Sequence, residues 1–193
     1  MTETHEIFAA IRSYANAYSQ LQDVQERSPL IPKGDQKTGC IGEFYSYLHL
    51  SRLHADATLT YGNHSTKGWD VHVKSDAHDF RIQIKTVSEY SETRTISPIH
   101  HGWDELWVIY LDRSFVPRGY WVITDRTVVA ENEVRKGCKC PLPSNPRSGS
   151  PSIPFGANRI DELNATLNAT EQNDARERPA SSVLKSTSIT AAP

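Results

Sequence analysis

A chain of 193 residues suits one domain with extensions and can bury a real hydrophobic core. Its net charge of −2 supplies no global basic field, so nucleic-acid binding would have to rest on a few local cations or a bound metal. No apolar run reaches the length of a membrane span, and three cysteines behind a start that lacks signal-peptide character read as reduced thiols, so the expected setting is cytoplasmic with no membrane partner.

Residues 3–26 read as a helix, because Ile7, Phe8, Ile11, Ala15, Tyr18 and Leu21 recur at helical spacing. The helix is expected to pack on a sheet, and the prolines and glycine of residues 29–34 end it. A second helix is expected from Thr38 to about His54, with Ile41, Phe44, Tyr45 and Leu48 on one stripe. It carries Gly39 and Gly42 beside Glu43. Glycine inside a helix costs about 1 kcal/mol relative to alanine, so a close approach by a strand or a phosphate is expected there. Residues 57–61 read as a first strand, and residues 62–68 as a polar turn.

The stretch from Gly68 to Lys85 alternates polar and apolar at both ends, with Ser75, Asp76, Ala77, His78 and Asp79 as turn chemistry between. This is the pattern of a half-buried β-hairpin. A turn centred on Asp76 and Ala77 sets Val71 opposite Ile82 and Val73 opposite Phe80, on an apolar face expected to include Trp69 and Ile84. The same register sets Asp70 opposite Gln83, with Lys85 two residues along on the second face. A one-residue slip would put Asp70 opposite an apolar partner, so the hydrophobic pattern holds the register. An acid, an amide carbonyl and an amine are thereby expected in one cluster, and hard oxygen donors of this kind suit Mg²⁺.

Past Lys85 the polar residues 86–95 read either as a loop that closes on substrate or as the start of a helix. His100 and His101 lack a Cys or acid at zinc-ligand spacing and are not read as a zinc site. Residues 106–111 form a continuous apolar run, the mark of a strand buried on both faces, and residues 119–123 read as the next strand. A short solvated helix is expected from Thr124 to about Lys136. Cys138 and Cys140 read as bystander thiols. Ile160, Leu163 and Leu167 mark a last short helix. The expected organisation is a core with its N-terminal helix over 1–137, a loop and short helix over 138–170, and a disordered tail over 171–193, where apolar residues are too few to offset ordering entropy.

The order Asp70, twelve residues, Gln83, one residue, Lys85 resembles the PD-(D/E)XK nuclease superfamily in its Q-x-K form. Trp69 stands where the family name has proline, and Gln83 where an acid is usual. Glu43 resembles the helix glutamate that many members carry before the active hairpin. The resemblance implies an α/β restriction-endonuclease-like fold, a mixed sheet of about five strands flanked by helices. It implies a metal-dependent nuclease that hydrolyses phosphodiester bonds, most simply a DNA endonuclease using Mg²⁺ or Mn²⁺. Asp70 would bind the metal, Gln83 would offer its side-chain carbonyl, and the main-chain carbonyl of Ile84 would join. Glu43 would hold the metal, a second metal or their water, and Lys85 would orient the attacking water or steady charge on phosphorus. The implied partner is double-stranded DNA, with a homodimer favoured for cutting two strands. Two other readings stay open: a non-catalytic nuclease-like domain binding nucleic acid or protein, and a small metal-free interaction or immunity protein.

Overall fold

Period-two patterning and β-branched residues pair five strands into one mixed sheet in the computed structural model of the chain, which describes residues 3–32, 37–63, 67–131 and 133–177. Two helices come first, α1 (Glu3–Arg27) and α2 (Lys37–Leu53). Then follow β1 (Thr58–Tyr61), β2 (Val71–Lys74) and β3 (Asp79–Ser88). After them come β4 (Ile99–His100), β5 (Glu105–Leu111), β6 (Pro117–Ile123), β7 (Val134–Arg135) and α3 (Ile160–Glu177). The main sheet runs β1-β2-β3-β5-β6, and β4 pairs with β7 in a separate two-stranded sheet. All pairings in the main sheet are antiparallel except β3 with β5. Among the described residues no helix is long and apolar enough to cross a membrane.

The hairpin has the register its pattern dictates, with Val71 paired to Ile82 and Val73 to Phe80. The two strands are unequal. β2 pairs only with residues 79–82 of β3, whereas β5 pairs with residues 82–88. The second half of β3 is therefore open on the β2 side.

Alternation along the strands sends side chains to two covers. Val71, Val73, Ile82, Ile84, Trp107, Ile109, Leu111 and Tyr120 pack against Leu50 of α2 and Leu163 of α3. Val87, Leu106, Val108, Tyr110, Trp121 and Ile123 pack on the other side under irregular chain that supplies Ile96, Ile99, Trp103, Val128, Cys140 and Phe155. β5 is buried on both faces, as its apolar run requires. Gly42 has its reason here, because a Cβ at that position would collide with the Thr86 side chain of β3. The helix backbone sits directly on the strand.

Five expectations need correction or completion. Trp69 leaves the apolar face: β2 starts only at Val71, and the indole lies 5.9 Å from the His72 ring and 5.9 Å from the Arg81 guanidinium. The chain from β3 to β5 crosses as turns and β4, with no helix. The helix expected over residues 124–136 is a single 3₁₀ turn, Arg126–Val128, whose Thr127 N–H donates to Asp125 Oδ1, followed by β7. Tertiary pairing overrides local helical preference there: Val128 and Val129 are buried, and Val134 pairs with His100. Helix α1 does not blanket the sheet over its described side chains, of which only Gln25 is buried while Tyr14 is 70% exposed. Its C-terminal part is tied to α2 instead, through Lys37, which lies 4.5 Å over the Tyr18 ring and donates to Gln22 and Gln25. Helix α3 continues to Glu177, past residue 171 where a tail is expected, and residues 178–193 lie outside the described residues.

Candidate active site

The open edge of β3 needs a partner for its main chain, and Asp70 supplies one. Its N–H donates to Ile82 O at 2.7 Å as the last step of the ladder. Its side chain then takes over, with Oδ2 accepting the Ile84 N–H at 2.6 Å. The carboxylate is thus pinned at the point where β2 peels away. N–H and C=O of one strand residue point to the same neighbour, so the Ile84 carbonyl faces the same edge. Lys85 follows on β3. Glu43 arrives from α2, one residue after the glycine that seats this helix on Thr86.

Glu43, Asp70, Ile84 and Lys85 share one open cleft of about 750 Å³. Lys37 from α2 and Lys136 after β7 also line it. Burial, reinforced by Asp70, holds the Glu43 carboxyl up at about 8, against the pull of Lys85. Burial likewise raises Asp70, opposed by the Ile84 N–H and by Lys85. It lowers the Lys85 ammonium, against the opposing pull of Asp70 and Glu43. The cleft therefore strains two acids toward neutrality beside Lys85, an arrangement that a bound divalent cation would relieve.

Gln83 stands apart from that group. It is 1% exposed and is not part of the cleft wall. Its Nε2 donates to Lys67 O at 2.9 Å, and its Oε1 accepts the His100 N–H at 3.1 Å. The amide thus clasps the segment before Asp70 to β4. Gly68 supports the same junction, since a Cβ there would collide with His101 O. Behind Lys85, burial lowers the His100 imidazole, and Lys85, Lys67 and His101 lower it further.

Sequence reasoning missed Lys37 and Lys136 as cleft residues. By its pattern Lys136 belongs to a solvated helix, and the pairing of β7 with β4 carries it to the cleft. No local pattern signals this. Cys40, Cys138 and Cys140 are free, buried thiols, and Cys138 Sγ accepts from Arg135 Nε at 3.2 Å. Among the described residues no group of three or more His, Cys, Asp or Glu side chains is placed to hold a metal ion, so the acidic donor set is Glu43 and Asp70 alone.

The chain matches no protein-family model and no curated protein. Among solved structures it is similar to a bacterial homing endonuclease, with a TM-score of 0.38 and 10% identity over 74% of this chain and 99% of that one.

Proposed function

We propose that the chain is a metal-dependent phosphodiesterase acting on nucleic acid, with double-stranded DNA as substrate and Mg²⁺ or Mn²⁺ as cofactor. The observation that carries this reading is the meeting of Glu43 and Asp70, from separate elements, with Lys85 in one cleft at an unpaired strand edge. A solvated hairpin face would leave its acids apart and near their ordinary pKa, whereas here burial raises both, and the neighbouring Asp70 raises Glu43 further. The donor set fits a hard divalent cation. Mg²⁺ is commonly bound through one or two carboxylates, with water and substrate phosphate completing its shell.

When bound, such a cation supplies a Lewis acid for a phosphoryl oxygen and a more acidic water. Asp70 and Glu43 would hold it, with the Ile84 carbonyl as a main-chain donor. Asp70 is oriented for this by the Ile84 N–H. Lys85, the one ammonium that faces both acids on the strand itself, would steady negative charge on the phosphate or orient the water. The commitment of both ends of the Gln83 amide to main-chain groups supports a clasping role for that residue in place of the ligand role.

The test is cleavage of plasmid DNA with Mg²⁺ or Mn²⁺, stopped by chelation. Asp70→Asn keeps an acceptor for the Ile84 N–H and removes the charge. Its cleavage rate should fall by on the order of 100-fold or more while the melting temperature holds. A variant that cuts as fast as the parent overturns the assignment. Undiminished DNA binding with no cleavage under any divalent ion would favour the non-catalytic reading.

A further inference from the structure

The polar face of β3 does not end at the cleft. Arg81 lies on the same face as Lys85, four residues away, which at strand rise is about 14 Å. Arg81 lines a second cavity of about 330 Å³, together with His101, Trp103, Asp104, Arg126 and Glu131. We infer that this cavity is a second phosphate site, taking a backbone phosphate a short way along the strand from the bond held in the Glu43–Asp70–Lys85 cleft. The inference rests on the reading of that cleft as a phosphodiester site.

The chemistry of the walls favours an anion on the Arg81 side. Asp104 is spent within the wall, because Oδ1 pairs with Arg126 Nη2 at 2.5 Å and Oδ2 accepts the Arg81 N–H at 2.8 Å. Glu131 is exposed at the rim. The Arg81 guanidinium makes no ion pair with an acid among the described residues and lies 5.9 Å from the Trp69 ring. A planar guanidinium held against an aromatic face, with its donors uncommitted, is suited to phosphate oxygens. Trp103 is 2% exposed, and its indole N–H finds no acceptor among the described residues. Between the two cavities the Gln83 clasp fixes the main chain at Lys67 and His100, so the wall that joins the two sites is held in place. Trp69, partly exposed and next to Asp70, offers a flat apolar surface to a sugar or base along that path.

The test is binding of a short DNA duplex to the full chain in EDTA, followed across a salt titration, with cleavage in Mg²⁺ scored separately. Each phosphate contact contributes about 0.9 to the slope of log affinity against log salt on duplex DNA. Arg81→Ala should weaken binding several-fold and lower that slope by about 0.9, while Arg81→Lys, which keeps the charge, should keep the slope. Arg113→Ala removes an exposed arginine from the opposite end of β5 and should leave the slope unchanged. An unchanged slope in Arg81→Ala, or equal loss in Arg113→Ala, overturns the second site even if the parent cuts DNA. A slope change confined to Arg81→Ala supports it even if the parent cuts nothing, in which case the catalytic reading alone falls. Failure of the parent to bind the duplex overturns the second site outright.

Discussion

The two faces of the sheet are covered by different means. One face lies under α2 and α3, whose main-chain groups are satisfied within the helices: Leu50 and Leu163 are fully buried against the strands, and the buried polar side chains His49 and Thr166 pair with each other at 2.9 Å. The other face lies under irregular chain, which must find main-chain partners elsewhere. Arg94 supplies some of them, donating to Cys140 O, Ser148 Oγ and Ser148 O. Arg135 supplies others, reaching Val128 O, Cys138 Sγ and Ser152. Gln83 does the same for Lys67 and His100. A helical cover brings its main chain already satisfied, whereas a cover of loops held by side chains leaves gaps lined with charge. Both cavities take a wall from the loop cover, and the first takes another from the N-terminal half of α2.

If the helix-covered face is structural, truncating it should cost stability without touching the cleft chemistry. Leu50→Ala should lower stability by about 3–4 kcal/mol, because a fully buried leucine leaves a cavity that helix and sheet cannot collapse. Calorimetric Mn²⁺ titration below the melting range should match the parent. A parallel loss of metal affinity would break the division between the faces.

The loop-covered face should respond in both quantities. Gln83→Glu replaces a donor with an acceptor, so Lys67 O loses its bond and a carboxylate is buried at a position that is 1% exposed. Stability should fall by about 2–3 kcal/mol. Metal affinity should fall, in spite of the added charge, because the loops carrying Lys67 and His100 come loose. Sequence alone argues the reverse, that this carboxylate tightens metal binding. A tighter Mn²⁺ titration in Gln83→Glu would restore Gln83 as a ligand.

The smallest effect expected is a gain. Glu43 keeps its proton up to about 8 in the folded chain and gives it up near 4.5 in the unfolded one. Between those values the folded state holds the extra proton, so stability present below pH 4.5 is lost as pH rises through about 8. Glu43→Gln abolishes that loss. In EDTA at alkaline pH it should be more stable than the parent by about 2 kcal/mol, a figure reduced for the openness of the cleft to water. Mn²⁺ should then raise the melting temperature of the parent and not of the variant. Identical pH profiles would show that Glu43 is an ordinary solvated acid.

The hairpin and its register were legible because period two leaves no choice: shifting Val71 and Val73 by one residue would turn the whole apolar set to water. Helix α2 and the strand at β5 were legible for similar reasons, since one stripe and one apolar run each specify burial. The grouping of Asp70 with Lys85 follows from that register, and Glu43 required only that α2 lie on β3, which Gly42 signals. What sequence could not supply was the identity of main-chain partners. Gln83 reads as a ligand beside Lys85, yet its amide is taken by main-chain groups 16 and 17 residues away. Trp69 reads as part of an apolar face, yet β2 begins two residues later and the ring turns to Arg81. Lys136 reads as helix surface, yet two residues of β7 paired with β4 deliver it to the cleft. Side-chain periodicity is written along the chain because it is a property of neighbours. Main-chain satisfaction between distant loops exists only once the chain has closed on itself, and here it decides which polar residues face the cleft.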